Sequence, residues 1–543
     1  MEKIIIYQMF PRQWGNPERH QKVNGTLEEN GCGRFSGIDA ASLDYIRSLG
    51  VTHVWYTGIL RHATATSSAG CTASSADWVK GNAGSPYAVT DYYDVNPYLA
   101  DNPDHRMEEF RSLVERTHAA GLKVIMDFVP NHVARDYKSF TSAHPSPTGM
   151  EALGEGDDVS LHWREENDFF YYPGSSLALP LENQKYQENP AMASGNAYTC
   201  SPSVNDWYDT VKINYCDTHT RTWDKMLDIV RFWVGMGVDG FRCDMVELVP
   251  PAFFTWLIRE IKKLRPDILF VAEVYQKNLY NKYIREVGFD LLYDKSGMYD
   301  TVRAVVEKNV KDTGVPVEAW QSARKITWNW QSLGDLQPYM LNFLENHDEQ
   351  RFASDFFGKE AENCFAALYA SLFFNRSSFM IYCGQEIGER GMDHAGFSGV
   401  DGRTSIFDWW CPDKYQRLYK FIHGDAEALT DSEKALLGRY RESLRFATGD
   451  DAVRSGSVYD LNYCNLSSDG FCIDRHFAFL RDCGDETLLI VCNFSANDSD
   501  MMISIPEHAF IWLELPETEN LNHELPIHVH VPAMDGVIVR LSQ

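Results

Sequence analysis

The chain has 543 residues, of which 44% are hydrophobic and 23% are charged, a composition typical of a soluble globular protein with more than one domain. Its formal net charge of −27 disfavours nucleic acid and anionic membranes as partners, but it does not hinder a neutral ligand. The 12 cysteines include no CxxC pair and no zinc-like spacing, so we expect structural free thiols.

The first residues lack the features of a targeting segment. Residues 1–7 pass directly into an apolar strand pattern, without the charged start, apolar stretch and cleavage site of a signal peptide. No apolar run approaches the ~20 residues that a membrane helix needs. We therefore expect a cytoplasmic protein without membrane partners, while its oligomeric state is not predicted.

Apolar strand-like runs alternate with amphipathic helical stretches along most of the chain. The predicted strands are Ile4–Met9, His53–Tyr56, Leu122–Asp127, Val238–Asp244, Ile268–Ala272, Phe289–Tyr293, Leu341–Glu345 and Phe379–Tyr382. Helical periodicity lies between them, for example at His105–Ala119, Thr222–Met236, Ala252–Lys263 and Ala361–Phe374. Eight strands alternating with helices predict an α/β fold of the (β/α)8 TIM barrel type.

Two segments interrupt this alternation. After the third strand, a stretch rich in Gly, Ser, Pro and Asn is long enough to form an inserted domain. Near the end, Thr430 and Glu433 form a capping-box pattern, and the short strand-like runs beyond it predict a C-terminal antiparallel β-sandwich. The predicted domains are a barrel over 1–132 and 207–448, an inserted domain over 133–206 and a C-terminal domain over 449–543.

Acidic residues lie at the ends of three predicted strands. Asp244 ends the fourth strand, Glu273 ends the fifth and Asp348 ends the seventh. The C-terminal ends of barrel strands meet at the mouth, where such enzymes carry their active sites. Two carboxylates there can cleave a glycosidic bond, at ~5–5.5 Å from each other in a retaining enzyme. The three acids therefore predict a glycosidase.

The neighbours of the two central acids fit this interpretation. Arg242 and Asp244 share one face of their strand, and a guanidinium favours the ionised carboxylate that a nucleophile needs. Apolar residues beside Glu273 would desolvate it, which suits a general acid. Taken alone, however, Arg242 is equally consistent with an ion pair inside the barrel.

Histidines accompany the acids on two strands. His347 precedes Asp348, and His132 follows Asp127 and Asn131 after the third strand. Such groups can hold sugar hydroxyls by hydrogen bonds that strengthen in the transition state. His132 alone would more often be a core histidine, but the pattern recurs over four strand ends, which favours a site.

These four segments resemble the signature regions of the α-amylase family, glycoside hydrolase family thirteen. Asp127–His132 resembles the first region, Gly240–Asp244 the second, the strand with Glu273 the third and Phe343–Asp348 the fourth. Their order and approximate spacing agree along the whole chain. The insertion resembles the family's domain B and the terminal sandwich its domain C.

The resemblance implies separate roles for the three acids. Asp244 would be the nucleophile that forms a covalent glycosyl intermediate. Glu273 would be the general acid and then the base that activates water. Asp348 would stabilise the oxocarbenium-like transition state.

The resemblance also implies substrate-binding residues. Arg242 would position the nucleophile, and His132 and His347 would bind hydroxyls of the −1 sugar. Tyr87, in Ser-Pro-Tyr before an Asp-Tyr pair, matches the family tyrosine that stacks on that sugar.

The chain departs from the common α-amylase pattern at a calcium site. Many family members bind Ca²⁺ between the barrel and domain B through an aspartate, and Lys212 occupies that position here. An ammonium carries only donors and a positive charge, so it cannot ligate Ca²⁺ but could hydrogen bond Asn131 instead. Arg34 makes the second calcium loop of some relatives unexpected as well. We therefore predict no metal and no other cofactor.

A second departure follows the nucleophile. Many α-amylases carry Lys-His at acceptor subsites, whereas Glu247 and Leu248 fill these places here, so Glu247 is a candidate substrate ligand. A lysine like Lys212 occurs in the neopullulanase and cyclomaltodextrinase branch of the family. Because the first predicted barrel strand begins within residues 1–10, we do not expect the N-terminal domain usual in that branch.

These observations predict a retaining hydrolase of α-1,4-linked glucose oligomers or starch-derived chains. An α-glucan transglycosylase or a neopullulanase-type enzyme stays open, because the same covalent intermediate can pass to water or to a sugar hydroxyl. A non-catalytic carbohydrate-binding or partner subunit is the alternative from another class, but such proteins lose carboxylates, and all three are present. Endo or exo cleavage and the preference for α-1,4 or α-1,6 bonds are not predicted.

Overall fold

A computed structural model describes residues 3–16, 20–68, 70–137, 149–182, 184–310, 315–484, 486–513 and 525–541. Parts of the predicted inserted domain (138–148 and 183) and C-terminal domain (485, 514–524 and 542–543) lie outside the described residues. The same holds for residues 1–2, at the start of the segment examined for a signal peptide.

Eight parallel strands close into a barrel, which confirms the predicted fold. The strands are β1 (Ile5–Met9), β2 (His53–Tyr56), β3 (Lys123–Phe128), β4 (Gly240–Cys243), β5 (Leu269–Ala272), β6 (Leu291–Tyr293), β7 (Met340–Phe343) and β8 (Ser378–Tyr382). Each strand pairs with its sequence neighbours, and β8 closes the barrel onto β1. Almost every strand residue is buried, since parallel strands covered by helices are apolar on both faces.

Helices surround the barrel and connect its strands. Their bounds are α1 (Leu27–Asn30), α2 (Ala40–Ser48), α3 (Arg106–Ala119), α4 (Arg221–Gly235), α5 (Pro251–Leu264), α6 (Asp300–Asn309), α7 (Arg324–Leu333), α8 (Phe365–Phe373), α9 (Asp413–Ile422), α10 (Asp431–Gly449), α11 (Asp451–Arg454) and α12 (Glu507–Leu513). The predicted capping box opens α10, where Thr430 accepts from the Glu433 amide and Glu433 accepts from the Thr430 amide. Gly121 and Gly237, at φ +78° and +96°, end α3 and α4 in the left-handed conformation that favours glycine.

The inserted segment leaves the barrel after β3 and forms small antiparallel sheets. His132–Ala134 pairs with Thr210–Lys212, which joins the two ends of the insertion beside the barrel mouth. Tyr171–Tyr172 pairs with Ala191–Met192 farther out. A separate pair, Leu60–His62 with Val89–Val95, belongs to the loop after β2. The boundaries of the three domains stay predictions.

The C-terminal region is antiparallel, as predicted. Its strands are β9 (Ser457–Asp460), β10 (His476–Asp482), β11 (Thr487–Asn493), β12 (Ser499–Ile503), β13 (Ile527–Val531) and β14 (Asp535–Arg540). One sheet has the order β9-β10-β11-β14, and β12 pairs with β13 in a second.

Strand β10 is buried on both faces because alternate side chains enter different cores. Phe477 and Phe479 pack on the barrel side, where their ring centroids lie 4.6 and 5.0 Å from that of Phe374. Ala478 and Leu480 point into the core between the two C-terminal sheets. The barrel and the C-terminal region therefore share a continuous apolar contact.

Two further expectations concern cysteine and the membrane. All 12 cysteines are free thiols. In the part of the chain that the structure describes, no helix combines the length and apolar character needed to cross a membrane.

Candidate active site

A cleft of about 680 Å³ lies at the C-terminal end of the barrel strands. Asp244, Glu273 and Asp348 all line it, so the fold brings the three predicted acids together. Aromatic side chains form much of the remaining wall: Tyr87, Trp207, Tyr208, Tyr275, Phe397 and Phe407. Carboxylates on the floor and flat apolar rings around them suit a ligand with hydroxyl groups and apolar faces.

Asp244 and Glu273 follow neighbouring strands. Cys243 pairs with Ala272 in the parallel register of β4 and β5, so the next residue of each strand is one of the two acids. Arg242 Nη1 lies 2.6 Å from Asp244 Oδ1, and Arg242 Nη2 lies 2.9 Å from Glu273 Oε1. One buried guanidinium therefore contacts both carboxylates and keeps them side by side.

The site carries more acidic groups than Arg242 can balance. Burial raises the pKa of Asp244 well above its ordinary value, Arg242 opposes this rise, and Glu273 adds to it. Burial also raises the pKa of Asp127 to about 6. The pKa of Asp348, which is partly buried, rises to about 7 through desolvation and the negative charge of Glu273. Arg242 thus lowers the pKa of Asp244 as expected, but the effect of burial is larger.

The carboxylate of Glu273 accepts two hydrogen bonds besides facing Arg242. The hydroxyl of Tyr275 donates to Oε1 at 2.6 Å, and the amide of Met245 donates to Oε2 at 2.8 Å. The apolar residues that flank it in the sequence, Val271, Ala272 and Val274, are buried in the hydrophobic core. The environment of this acid is therefore more polar than the sequence indicated.

His347 lies beneath the cleft and orients Asp348 and Tyr87. Gln8 Nε2 donates to His347 Nδ1 at 2.9 Å, which leaves the proton on Nε2. Nε2 lies 3.2 Å from Asp348 Oδ2 and also hydrogen bonds the Tyr87 hydroxyl. Burial lowers the pKa of His347 well below its usual range, and the positive charge of Arg242 lowers it further. The ring is therefore neutral.

The side chain of Asp348 is 31% exposed, whereas those of Asp244 and Glu273 are almost fully covered. Its amide donates to Asn346 Oδ1 at 2.8 Å, and its carbonyl accepts from Arg403 Nε at 2.5 Å. The backbone is thus held while the carboxylate faces the open cleft, in position to contact a ligand.

His132 lines the cleft on the side of the inserted segment. Its Nδ1 accepts from Asn131 Nδ2 at 3.1 Å, which leaves Nε2–H as a donor. Burial lowers its pKa to about 3, with Lys212 and Lys80 adding to the effect, so this imidazole is neutral too. Its ring centroid lies 5.0 Å from that of Trp207.

Lys212 makes the contact expected of it. Its buried ammonium donates to Asn131 Oδ1 and, at 2.8 Å, to the carbonyl of Leu248. Burial lowers the pKa of Lys212 to about 7. Within the described residues, no group of three or more His, Cys, Asp or Glu side chains is arranged to hold a metal ion.

Three of the predicted substrate ligands are not part of the cleft wall. Arg242 and His347 are each 1% exposed, and their contacts run to acids that do line the cleft. Direct contacts of these two residues with a sugar stay predictions. The Glu247 carboxylate instead accepts from the amides of Tyr275 at 3.1 Å and Gln276 at 3.0 Å. A direct contact of Glu247 with sugar stays a prediction, and the structure gives this carboxylate other partners.

Sequence reasoning missed several residues of the site. Tyr275 contacts Glu273, Gln8 sets the tautomer of His347, and Trp55 donates from Nε1 to Asp127 Oδ2 at 3.1 Å. Tyr275 had a local signal, since it lies two residues after an acid at a strand end. Gln8 and Trp55 had none, because their partners are distant in the chain.

The arrangement suits a reaction that develops positive charge. Asp127, Asp244 and Glu273 surround one guanidinium, and Asp348 lines the same cleft, so the site is rich in carboxylate oxygens. An oxocarbenium-like transition state is stabilised by such preorganised negative charge. The paired Asp244 and Glu273 are of the residue types that can serve as a nucleophile and a proton donor.

The chain is similar in sequence to known proteins. A family model described as the alpha amylase catalytic domain matches residues 8–455. Neopullulanase 2 of Thermoactinomyces vulgaris is 23% identical over 521 residues, which cover 93% of this chain and 72% of that protein. Alpha-amylase 3 of Dictyoglomus thermophilum is 23% identical over 546 residues, covering 95% of this chain and 90% of that protein.

Solved structures show the same fold. The native form of the debranching enzyme of Nostoc punctiforme superposes with a TM-score of 0.65 at 19% identity. The alignment covers 100% of this chain and 98% of that chain.

Proposed function

Because this chain belongs to the α-amylase family of glycoside hydrolases, we propose that it cleaves α-1,4-glucosidic bonds in maltooligosaccharides or starch-derived α-glucans with retention of configuration. The contact of Arg242 with both Asp244 and Glu273, inside a cleft that Asp348 also lines, is the observation that carries the proposal. It supports the proposal because the two acids follow adjacent strand ends, as a nucleophile and a proton donor of one reaction should.

The proposed reaction is a double displacement. Asp244 attacks the anomeric carbon while Glu273 gives its proton to the departing glycosidic oxygen, which leaves a glycosyl ester on Asp244. Glu273, now ionised, takes a proton from water, and the resulting hydroxide equivalent displaces Asp244. Asp348 and the neutral His132 hold hydroxyls of the reacting sugar, and Tyr87 packs on its ring.

The substrate range is tested by a product profile. We expect reducing sugar from maltoheptaose, with the α-anomer as the first product by NMR. Maltose, pullulan and a cyclodextrin, assayed in parallel, distinguish the linear α-1,4 preference from a neopullulanase or cyclomaltodextrinase range. Oligosaccharides longer than the starting substrate would instead indicate transglycosylation. A β-anomer as first product, or no cleavage of any α-glucan, would contradict the proposal.

A neopullulanase-type enzyme is the second candidate. Lys212 supports it, because a lysine at this position resembles that branch of the family. Neopullulanase 2 of Thermoactinomyces vulgaris is also among the relatives of this chain. Faster cleavage of pullulan or cyclodextrin than of maltoheptaose would favour this candidate.

We also propose that Lys212 replaces the calcium ion of many relatives. Its ammonium connects Asn131 with Leu248, and so joins the insertion to the turn after β4. EDTA is therefore expected to leave activity and the thermal unfolding midpoint unchanged. Lys212→Met should cost about 1–3 kcal/mol of stability because it leaves two buried acceptors unpaired.

Differential scanning calorimetry with and without EDTA checks this expectation. Lys185→Met, which changes an exposed lysine of the insertion, is the matched control and should not shift the midpoint. A clear fall of the wild-type midpoint in EDTA, restored by Ca²⁺, would show that the protein depends on the metal.

A further inference from the structure

The turn after the nucleophile strand also holds the loop after the proton-donor strand. This turn, Val246–Leu248, carries Glu247, whose Oε2 accepts from the Tyr275 amide and whose Oε1 accepts from the Gln276 amide. Both carboxylate oxygens therefore contact consecutive amides of the loop that begins at Glu273. The contact is long-range in sequence, 28 and 29 residues apart.

The loop that Glu247 holds also contacts the Glu273 carboxylate. Tyr275 donates its hydroxyl proton to Glu273 Oε1 at 2.6 Å, and its pKa is raised well above the usual range, first by burial and then by Glu273. The hydroxyl is thus a neutral donor. On the other side, the Met245 amide holds Oε2, and Met245 adopts the left-handed conformation at φ +45°, which is strained for a side chain of this size.

The turn that carries Glu247 is itself anchored. Lys212 donates to the carbonyl of Leu248 at 2.8 Å, and the Tyr283 hydroxyl donates to the carbonyl of Val246 at 3.3 Å. These contacts fix the backbone on either side of Glu247. Its carboxylate therefore meets the Tyr275–Gln276 amides from a rigid support.

We propose that Glu247 is a positioning residue for the proton donor, acting through the Tyr275–Gln276 loop on Glu273. The inference rests on the proposed hydrolase function. Glu247 does not line the cleft, so its effect reaches the reaction only by way of the loop. Proton transfer requires the donor within hydrogen-bond reach of the leaving oxygen, and a displaced loop removes one of the two bonds that orient Glu273.

The test compares two substrates that differ in their need for a proton. The sugar hydroxyl leaving from maltoheptaose must be protonated, whereas fluoride leaves α-maltosyl fluoride without help from an acid. The value of kcat/KM reports the first, glycosylation step for both, so the later role of Glu273 as a base does not enter. For Glu247→Ala we expect a loss of ~10–100-fold on maltoheptaose and less than ~3-fold on the fluoride.

Three further variants complete the design. Tyr275→Phe should show the same selective loss, because it removes the hydroxyl from Glu273. Glu247→Gln keeps one oxygen acceptor for the loop and should lie between Ala and wild type. Glu115→Ala, on the exposed surface of α3, is the control and should match wild type on both substrates.

The outcomes separate the possible failures. Equal losses on both substrates in Glu247→Ala and Tyr275→Phe would mean a merely structural role and overturn the inference, as would unchanged values on both. If Glu247→Ala does not fold, the ratio of the two substrates in Glu247→Gln and Tyr275→Phe decides. Wild-type protein inactive on both substrates would instead refute the proposed function.

Discussion

Asp244→Asn is expected to abolish release of reducing sugar from maltoheptaose, with kcat/KM falling by about 10⁴-fold or more, as when an enzyme loses its nucleophile. The amide has the same shape and can still accept from Arg242, but it cannot form the glycosyl ester. Reducing-sugar assays on the purified, folded variant measure the loss. The far-UV circular dichroism should stay that of the wild type.

Asp239→Asn is the matched control for this substitution. Asp239 precedes the same strand at the opposite end of the barrel, where it contacts His118 and Arg265. Its substitution alters a structural ion pair and should leave the kcat of the folded protein near the wild-type value. Full activity in Asp244→Asn would show that another residue attacks the anomeric carbon.

Arg242→Met is expected to lower the free energy of unfolding at pH 7.5 by about 3–5 kcal/mol, the cost of leaving buried charges without their partner. The guanidinium contacts Asp244 and Glu273 and lies 3.6 Å from Asp127. Its loss leaves several carboxylates with no cation between them. Denaturant titrations of variant and wild type, run in parallel, measure the difference.

The cost of Arg242→Met should shrink at lower pH. Burial raises the folded-state pKa of Asp127 to about 6 and of Asp348 to about 7, so both carboxyls take up protons in the folded protein before they would in the unfolded chain. Protonation stabilises the folded state as the pH falls through this range, and more so once Arg242 is gone. A penalty at pH 5.5 equal to or greater than that at pH 7.5 would contradict this account.

The barrel was predictable because each of its strands has a local signal. A parallel strand covered on both faces is apolar along most of its length, and β5 and β8 show such runs in the sequence. The capping box at Thr430 is equally local, because its two hydrogen bonds join residues three apart. The C-terminal strands followed from the same kind of pattern.

Parts of the site were predictable for a related reason. Asp244 and Glu273 each follow the end of a strand, so the order of the strands is enough to bring both to the same end of the barrel. The contact of Lys212 with Asn131 was expected from the loss of a calcium ligand at that position. The tautomer of His347 was not, because it depends on Gln8, which lies 339 residues away in the sequence.

Glu247 shows most directly where sequence reasoning ended. Its place three residues after Asp244 predicts a sugar ligand, which stays a prediction, but nothing in the sequence indicated that both of its oxygens contact the backbone of the loop after β5. Backbone amides are nearly alike at every position, so residue types do not predict which amide will donate to a given carboxylate. Only the folded loop decides that.

The sequence by itself thus determined the barrel, the family and the three acids. These features depend on apolar periodicity and on residues at strand ends, which are local properties of the sequence. The tertiary structure alone decided which groups surround those acids. It placed Arg242 between Asp244 and Glu273. It also brought the Tyr275 hydroxyl into contact with Glu273, and the Glu247 carboxylate into contact with the Tyr275 amide. These contacts join separate strand ends and loops, and their geometry exists only once the barrel has closed.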